Sequence, residues 1–358
     1  MQFNEIIGYD ELKTKLIAGC TDNRLHHAHL FFDKSGGPSL ALALAFATYI
    51  NCENPTSTDS CGVCRACLKN KKLMHPDLHF SFPFYKNKEK KRENINDFIS
   101  EFRTLLQTPF ATTNDWVSMI DAENKQLKIN VEECQSIVQQ VVMRVFEGKQ
   151  KIFLIWQPEK ALTEINVLLK SLEEPPADTI FLLISYEPDL LLNTIISRCQ
   201  TWRLRPLTVS EATQVATRAG HDFTPDMGLA SEYNYGALLA LLNDRPDAPM
   251  PHIEWLNACF KKNMQQAIGI VDTISKYNRE QLKYFFVQAA NEAYKRWQQC
   301  DIDKKEALFA IHKELETALY HTTRNANARM QLIDTSLRIK NIVQHLSNKQ
   351  TSPTYLPL

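Results

Sequence analysis

The fold class that the sequence predicts is an α/β domain built on a parallel sheet, followed by an all-helical remainder. Three observations carry this. The runs AHLFF (Ala28 to Phe32), KIFLIW (Lys151 to Trp156) and TIFLLIS (Thr179 to Ser185) are short and almost continuously apolar, as strands covered on both faces require. Segments with helical spacing separate them, which is the alternation of βαβ units. After Pro206 the strand signals stop.

Taken in order, Asn4 to Cys20 reads as an amphipathic helix, AHLFF as a buried strand and Leu40 to Tyr49 as a helix. WVSMID (Trp116 to Asp121) reads as a strand. Asn130 caps a helix with Glu132 and Glu133 in its first turn and Gly148 just past its end; Ile137, Val138, Val141, Val142 and Val145 recur at helical spacing within it. KIFLIW follows, then a helix from Thr163 to Glu173 ended by Pro175-Pro176, then TIFLLIS. Leu207 to Leu242 forms a small helical unit, and DRPDAPMP (Asp244 to Pro251) resembles a linker. Ile253 to Leu346 is helical throughout; its aromatic residues Trp255, Phe260, Tyr284 and Phe285 are read as packing core, and NKQTSPTYLPL as a frayed tail. The expected divisions are 1–205, 206–247, 248–346 and 347–358, with no repeat of fixed period.

The totals exclude several classes. Lys+Arg and Asp+Glu are both 41 in 358 residues, so no global basic field advertises nucleic acid. The opening MQFNEIIGYDELKTKL lacks a signal-peptide layout, and no apolar run approaches the roughly 18 residues of a membrane helix, so a soluble cytoplasmic protein with no membrane partner is expected. Nine cysteines, five of them scattered singly, argue against a secreted disulfide framework and for a reducing compartment.

The other four cysteines are spaced Cys52-x8-Cys61-x2-Cys64-x2-Cys67. Two-residue gaps let successive sulfurs converge on one ion, and four soft ligands with no open position suit structural rather than catalytic zinc. The plainer alternative is a loop of unligated thiols or a redox pair.

DKSGGPSL (Asp33 to Leu40) sits between a strand and a helix, where nucleotide-binding domains hold phosphates. A working loop needs G-x-x-x-x-G-K-[ST]. In that register Asp33 stands at the first glycine, Pro38 at the second, Ser39 at the lysine and Leu40 at the magnesium-binding hydroxyl, with Gly36 and Gly37 between. Pro38 removes a backbone donor and Asp33 adds negative charge, so a ligand-free strand–turn–helix connection is expected. The strand KIFLIW should end on an Asp-Glu pair that holds magnesium and orients water; it ends on Trp156-Gln157-Pro158, with Glu159 too late. Two halves of one active site are missing together, so hydrolysis by this chain is not expected.

In NTIISRCQTWRL (Asn193 to Leu204), Arg198 can either make a surface salt bridge or reach a neighbour's γ-phosphate, a role that suits a permanent, bidentate charge. Cys199 has no evident base beside it and is expected to pack. KNKEKKR (Lys86 to Arg92) is a mostly basic loop, read as solvated surface with DNA phosphates as the sharper alternative.

IIGYDELKTKL, HHAHLFF, the degenerate loop, the Cys₄ spacing, HPDLHF, NVLLKSLEEPPADTIFLLIS, ISRCQ and ASEYNYGALLALL appear in that order. On these motifs the chain resembles the clamp-loader subunits of bacterial DNA polymerase III, of the delta-prime type. The resemblance implies an AAA+ α/β domain with a zinc module, a helical lid and a helical collar that assembles a pentamer with gamma/tau and delta subunits. It implies zinc ligation by Cys52, Cys61, Cys64 and Cys67. It also implies an SRC motif at Ser197, Arg198 and Cys199 whose arginine enters the adjacent subunit's ATP site while a sliding clamp is loaded on primed DNA. Competent gamma/tau relatives keep the lysine and acids; this chain departs from them at Ser39, Leu40 and Trp156. The rival readings are an active gamma-type ATPase and a stand-alone zinc-module DNA binder.

Overall fold

The computed structural model describes residues 1–22, 24–87, 92–123, 125–243, 250–300, 302–322 and 327–350, apart from the side chains of 303 and 345–350. Most of the basic loop, most of the linker and the tail after 350 therefore lie outside the described residues. The chain divides into two compact units, one of Met1–Leu207 with Asn234–Gly236, the other of Thr208–Tyr233 and Ala237–Leu358.

The first unit holds β1 (Ala28–Phe32), β2 (Leu78–Ser81), β3 (Lys151–Trp156), β4 (Thr179–Ser185) and β5 (Gln200–Arg203). Among the described residues these form one sheet in the order β2-β3-β4-β1-β5, every neighbouring pair parallel. Its helices are α1 (Asp10–Thr21), α2 (Ser39–Asn51), α3 (Arg65–Lys71), α4 (Ile99–Leu105), α5 (Thr113–Met119), α6 (Val131–Val141), α7 (Leu169–Glu173) and α8 (Asn193–Ile196). The sheet is buried on both faces, as the continuous apolar strands demand. Ala28, Leu30, Phe153, Ile155, Phe181 and Leu183 pack with Cys134, Ile137 and Val141 of α6, while the fully buried helix α2 supplies Phe46 against Phe31 and His29.

Sequence expectation and structure part at several elements. WVSMID is helical: the Thr112 hydroxyl and Asp115 carboxylate cap the N-terminus of α5 reciprocally, and Trp116 turns inward, donating from Nε1 to the Pro83 carbonyl at 2.7 Å. The amphipathic N-terminal segment is split into a short 3-10 turn at Phe3–Glu5 and α1, because Gly8 and Tyr9 adopt positive φ between them. The helix capped by Asn130 stops at Val141 rather than near Gly148, because the Asp77 carboxylate accepts the N–H groups of Phe146, Glu147 and Gly148. The buried Lys151 Nζ also donates to the carbonyls of Val141 and Met143. Thr163 to Glu173 is not one helix: 3-10 turns over Pro158–Leu168, broken at Leu162 (φ 50), precede α7.

The second unit contains α9 (Val209–Arg218), α10 (Pro225–Ala230), most of α11 (Tyr235–Asn243), α12 (His252–Phe260), α13 (Met264–Ile274), α14 (Arg279–Gln299), α15 (Ile302–Thr322) and α16 (Ala328–Gln350). Trp255, Phe285, Phe286, Ile311, Leu315, Leu332 and Ile339 form its core, and Tyr284 is buried too. Phe260 is partly buried beneath the Arg296 guanidinium. No helix among the described residues is long and apolar enough to cross a membrane.

Candidate functional site

In a parallel α/β sheet the ligand crevice lies beyond the carboxyl ends of the strands, where the strand order reverses. The loop 33–38 leaves the end of β1, between β4 and β5, and leads into the N-terminus of α2. Its anion position is already filled from within. Asp33 Oδ2 accepts from the Ser39 backbone N–H at 2.8 Å and Oδ1 from the Ser39 hydroxyl at 2.6 Å. The residue is half-buried but its carboxylate is enclosed, and a Cβ on Gly37 would lie 2.2 Å from Oδ2, so the carboxylate touches the loop backbone. Burial pushes this carboxyl up to about 7, despite both bonds from Ser39. The outer side of the loop is taken as well: Gly236 N–H donates to the Gly36 carbonyl at 2.8 Å and Asn234 Nδ2 to the Ser35 carbonyl at 3.2 Å. Gly36 takes a φ of 83° there, and Leu40 is fully buried.

The end of β3 is equally committed. Gln157, at φ 55°, donates from Nε2 to Thr113 Oγ1 at 3.1 Å. Glu159 is buried, and its Oε1 accepts the Tyr186 N–H at 3.0 Å; burial pushes its carboxyl above the usual range. Trp156 Nε1 donates to the Tyr186 hydroxyl at 3.0 Å. Burial and the nearby Asp33 charge both raise the Tyr186 phenol. Lysine, magnesium hydroxyl and paired acids are absent, and a carboxylate occupies the cradle. The loop thus lacks the groups that hold a nucleoside triphosphate and its magnesium.

The four clustered cysteines converge. The Sγ atoms of Cys52, Cys61, Cys64 and Cys67 all lie within 4.8 Å of one another, and those of Cys61 and Cys67 are 3.9 Å apart. A tetrahedral ion with sulfur ligands at about 2.3 Å sets its sulfurs about 3.8 Å apart, so the set matches a Cys₄ zinc site. Backbone N–H groups point at the sulfurs, Cys61 to Cys52 at 3.2 Å, Cys64 to Cys61 at 3.4 Å and Cys67 to Cys64 at 3.4 Å. Donors from Val63 and Cys64 hold the Cys61 thiol down to about 6, whereas burial pushes Cys52 and Cys67 up. Gly62, at φ 73°, makes the turn between the paired cysteines, and Asp59 fastens the module by accepting from the N–H groups of Phe3 and Asn4.

Arg198 lies elsewhere. Ser197, Arg198 and Cys199 form the turn between α8 and the start of β5, and His29 of β1 pairs with Gln200. Arg198 is therefore level with His27, six residues before Asp33, or roughly 20 Å away along the strand direction. It cannot serve its own loop. Nη1 donates to the Thr194 carbonyl at 2.6 Å and Nη2 to the Glu173 carboxylate. Burial pushes the Cys199 thiol up to about 12, and its side chain is partly buried against the apolar cluster of the sheet. Sequence reasoning missed Glu173 and Tyr186. Glu173 lies in the LEEPP string that was read as a helix stop, and no periodicity marks either residue as a partner of Arg198 or Asp33.

The family described as "DNA polymerase III, delta subunit" matches residues 8–208, more than half of the chain. The chain is 28% identical over 225 residues to the DNA polymerase III subunit tau/gamma of Haemophilus influenzae, covering 63% of this chain and 26% of that protein. It is 30% identical over 175 residues to subunit delta' of Pseudomonas aeruginosa, covering 48% of this chain and 41% of the relative. It is 27% identical over 232 residues to subunit delta' of Escherichia coli, covering 60% and 57%. The chain thus spans between about a quarter and just over half the length of these relatives. The α/β AAA+ architecture with a helical C-terminal part agrees with the matched family, and with it the chain belongs to the DNA polymerase III delta subunit family of clamp-loader proteins.

Proposed function

We propose that the chain is a delta-prime-type, non-hydrolysing clamp-loader subunit that lends Arg198 to a neighbouring subunit's ATP site. The observation that carries this is the Asp33 carboxylate bonded to Ser39 inside the phosphate loop. A loop that fills its own anion position has no vacancy for a triphosphate, and the lysine and acids for catalysis are missing as well. An arginine roughly 20 Å from that loop cannot serve it, and in this reading it acts in trans. Ser197 and Cys199 shape the turn that presents it.

In the same reading Cys52, Cys61, Cys64 and Cys67 hold one structural zinc that tethers the segment after α2. Residues 206–247 form a lid and 248–346 a collar, joining gamma/tau and delta subunits in a cytoplasmic hetero-pentamer. The assembly loads a sliding clamp on primed DNA. In this reading the chain contributes no polymerase or ATPase site of its own.

The test is reconstitution of the complex with Arg198→Ala. The expected outcome is an intact assembly with depressed ATP turnover, the affected site losing roughly a thousandfold or more, as trans arginines do. Unchanged turnover removes the assignment. A gamma-type ATPase is the second reading, favoured by the 28% identity to a tau/gamma subunit; ATP hydrolysis by the purified chain alone would restore it.

A further inference from the structure

Glu173, the last residue of α7, pairs with Arg198 through Nη2. Resting on the trans-arginine reading, we propose that Glu173 is a positioning residue: it parks Arg198 in cis as a counter-anion that the incoming phosphate of a neighbouring protomer must displace. Three features of the recess argue for this.

The first is its composition. A shallow recess is lined by His26, His27, Leu172, Glu173 and the Ser197–Gln200 turn, and Glu173 is its one carboxylate among the described lining residues. An anion arriving there meets a site whose positive charge is already neutralised by one residue. The second is the state of the guanidinium. Nη1 is used by the Thr194 carbonyl and Nη2 by Glu173, but Nε is buried with no hydrogen-bond partner. The parked arrangement thus leaves one donor unsatisfied, which is unfavourable. Swung away from Glu173, the side chain presents its Nε and Nη2 edge together, the fork that binds phosphate in a bidentate manner. The third is magnitude. Both partners remain accessible, at 30% and 46% exposure. Exposed ion pairs favour their closed state by no more than about fivefold. A triphosphate oxygen cluster outcompetes that, so Glu173 sets the threshold of engagement without blocking it.

Two measurements test this. Pyrophosphate binding to the chain is measured by isothermal titration calorimetry, and in ¹⁵N-arginine-labelled protein the Arg198 Nε–H signal reports engagement of the site. Glu173→Gln should tighten pyrophosphate binding up to about fivefold, and Arg198→Ala should abolish it. In the reconstituted complex, Glu173→Gln should lower the KM for ATP by a similar factor with kcat nearly unchanged, and the effect should vanish in the Arg198→Ala background. Equal pyrophosphate affinity in wild type and Glu173→Gln overturns the latch while leaving the arginine assignment standing. A Glu173→Gln effect that persists without Arg198 also overturns it. If Arg198→Ala leaves turnover of the complex unchanged, the trans arginine falls, and the latch falls with it.

Discussion

Asp33 closes the loop after β1 from within, because one carboxylate both fills the anion position and ties down the start of α2. Its elevated pKa makes that testable. Between roughly pH 4 and 7 the folded chain keeps a proton on Asp33 that the unfolded chain has released. Stability from this group is therefore complete below about pH 4 and falls as pH rises towards 7, by at most about 1.4 kcal/mol per unit. Asp33→Asn removes the titration. Urea denaturation at pH 5 and pH 7 should show the variant gaining on wild type by about 1 kcal/mol or more between the two; parallel pH dependences refute the enclosed carboxylate. The comparison is made between variants because half-buried Glu133, raised to about 7, and buried Glu159 slope the same way and cancel. The cysteine cluster makes a second prediction at this scale. Metal analysis should return one equivalent of zinc, and Cys61→Ser should release most of it with a lowered Tm; less than half an equivalent in wild type refutes the site.

At the scale of elements, the junction between α6 and β3 shows how tertiary contacts overrule periodicity. The apolar spacing runs on past Val141, yet the chain turns there because Asp77 gathers three successive N–H groups and Lys151 donates to the carbonyl of Val141, the last residue of the helix. Burial works against the Asp77 charge, but the donors of Phe146, Glu147 and Gly148 hold it below the usual carboxylate range. Its contribution is therefore present above about pH 4 and is lost in acid. Asp77→Ala leaves those donors without their acceptor and should cost about 2 kcal/mol, measured as a shift in denaturation midpoint. A loss below about 0.5 kcal/mol would mean that water replaces the carboxylate at no cost. The strands β2 and β5 escaped the sequence reading for a related reason. They are the two edges of the sheet, only four residues each, and β5 is largely exposed, so neither carries a long apolar run.

For the whole molecule, the parallel sheet separates its two chemically suggestive ends. The closed loop lies beyond the carboxyl end of β1, and Arg198 at the entry to β5. On the proposed reading, a second protomer completes the phosphate chemistry. The purified chain should therefore show no ATP hydrolysis above background, and Arg198→Ala should leave that baseline and the Tm of the isolated chain nearly unchanged. Turnover by the isolated chain that disappears in Arg198→Ala would contradict the geometry outright.

What the sequence determined by itself was whatever depends on local pattern. The three central strands are legible as apolar runs, the Cys₄ cluster as a spacing, and the disarmed loop as the absence of a lysine and two acids. The tertiary structure alone decided which side chains fill the vacancies. Asp33 turns back on Ser39, Asn234 and Gly236 cover the loop from two hundred residues away, and Glu173 meets Arg198 across a twenty-five-residue interval. Those pairings are made by the packing of the sheet and its helices, which brings together residues that no local periodicity connects.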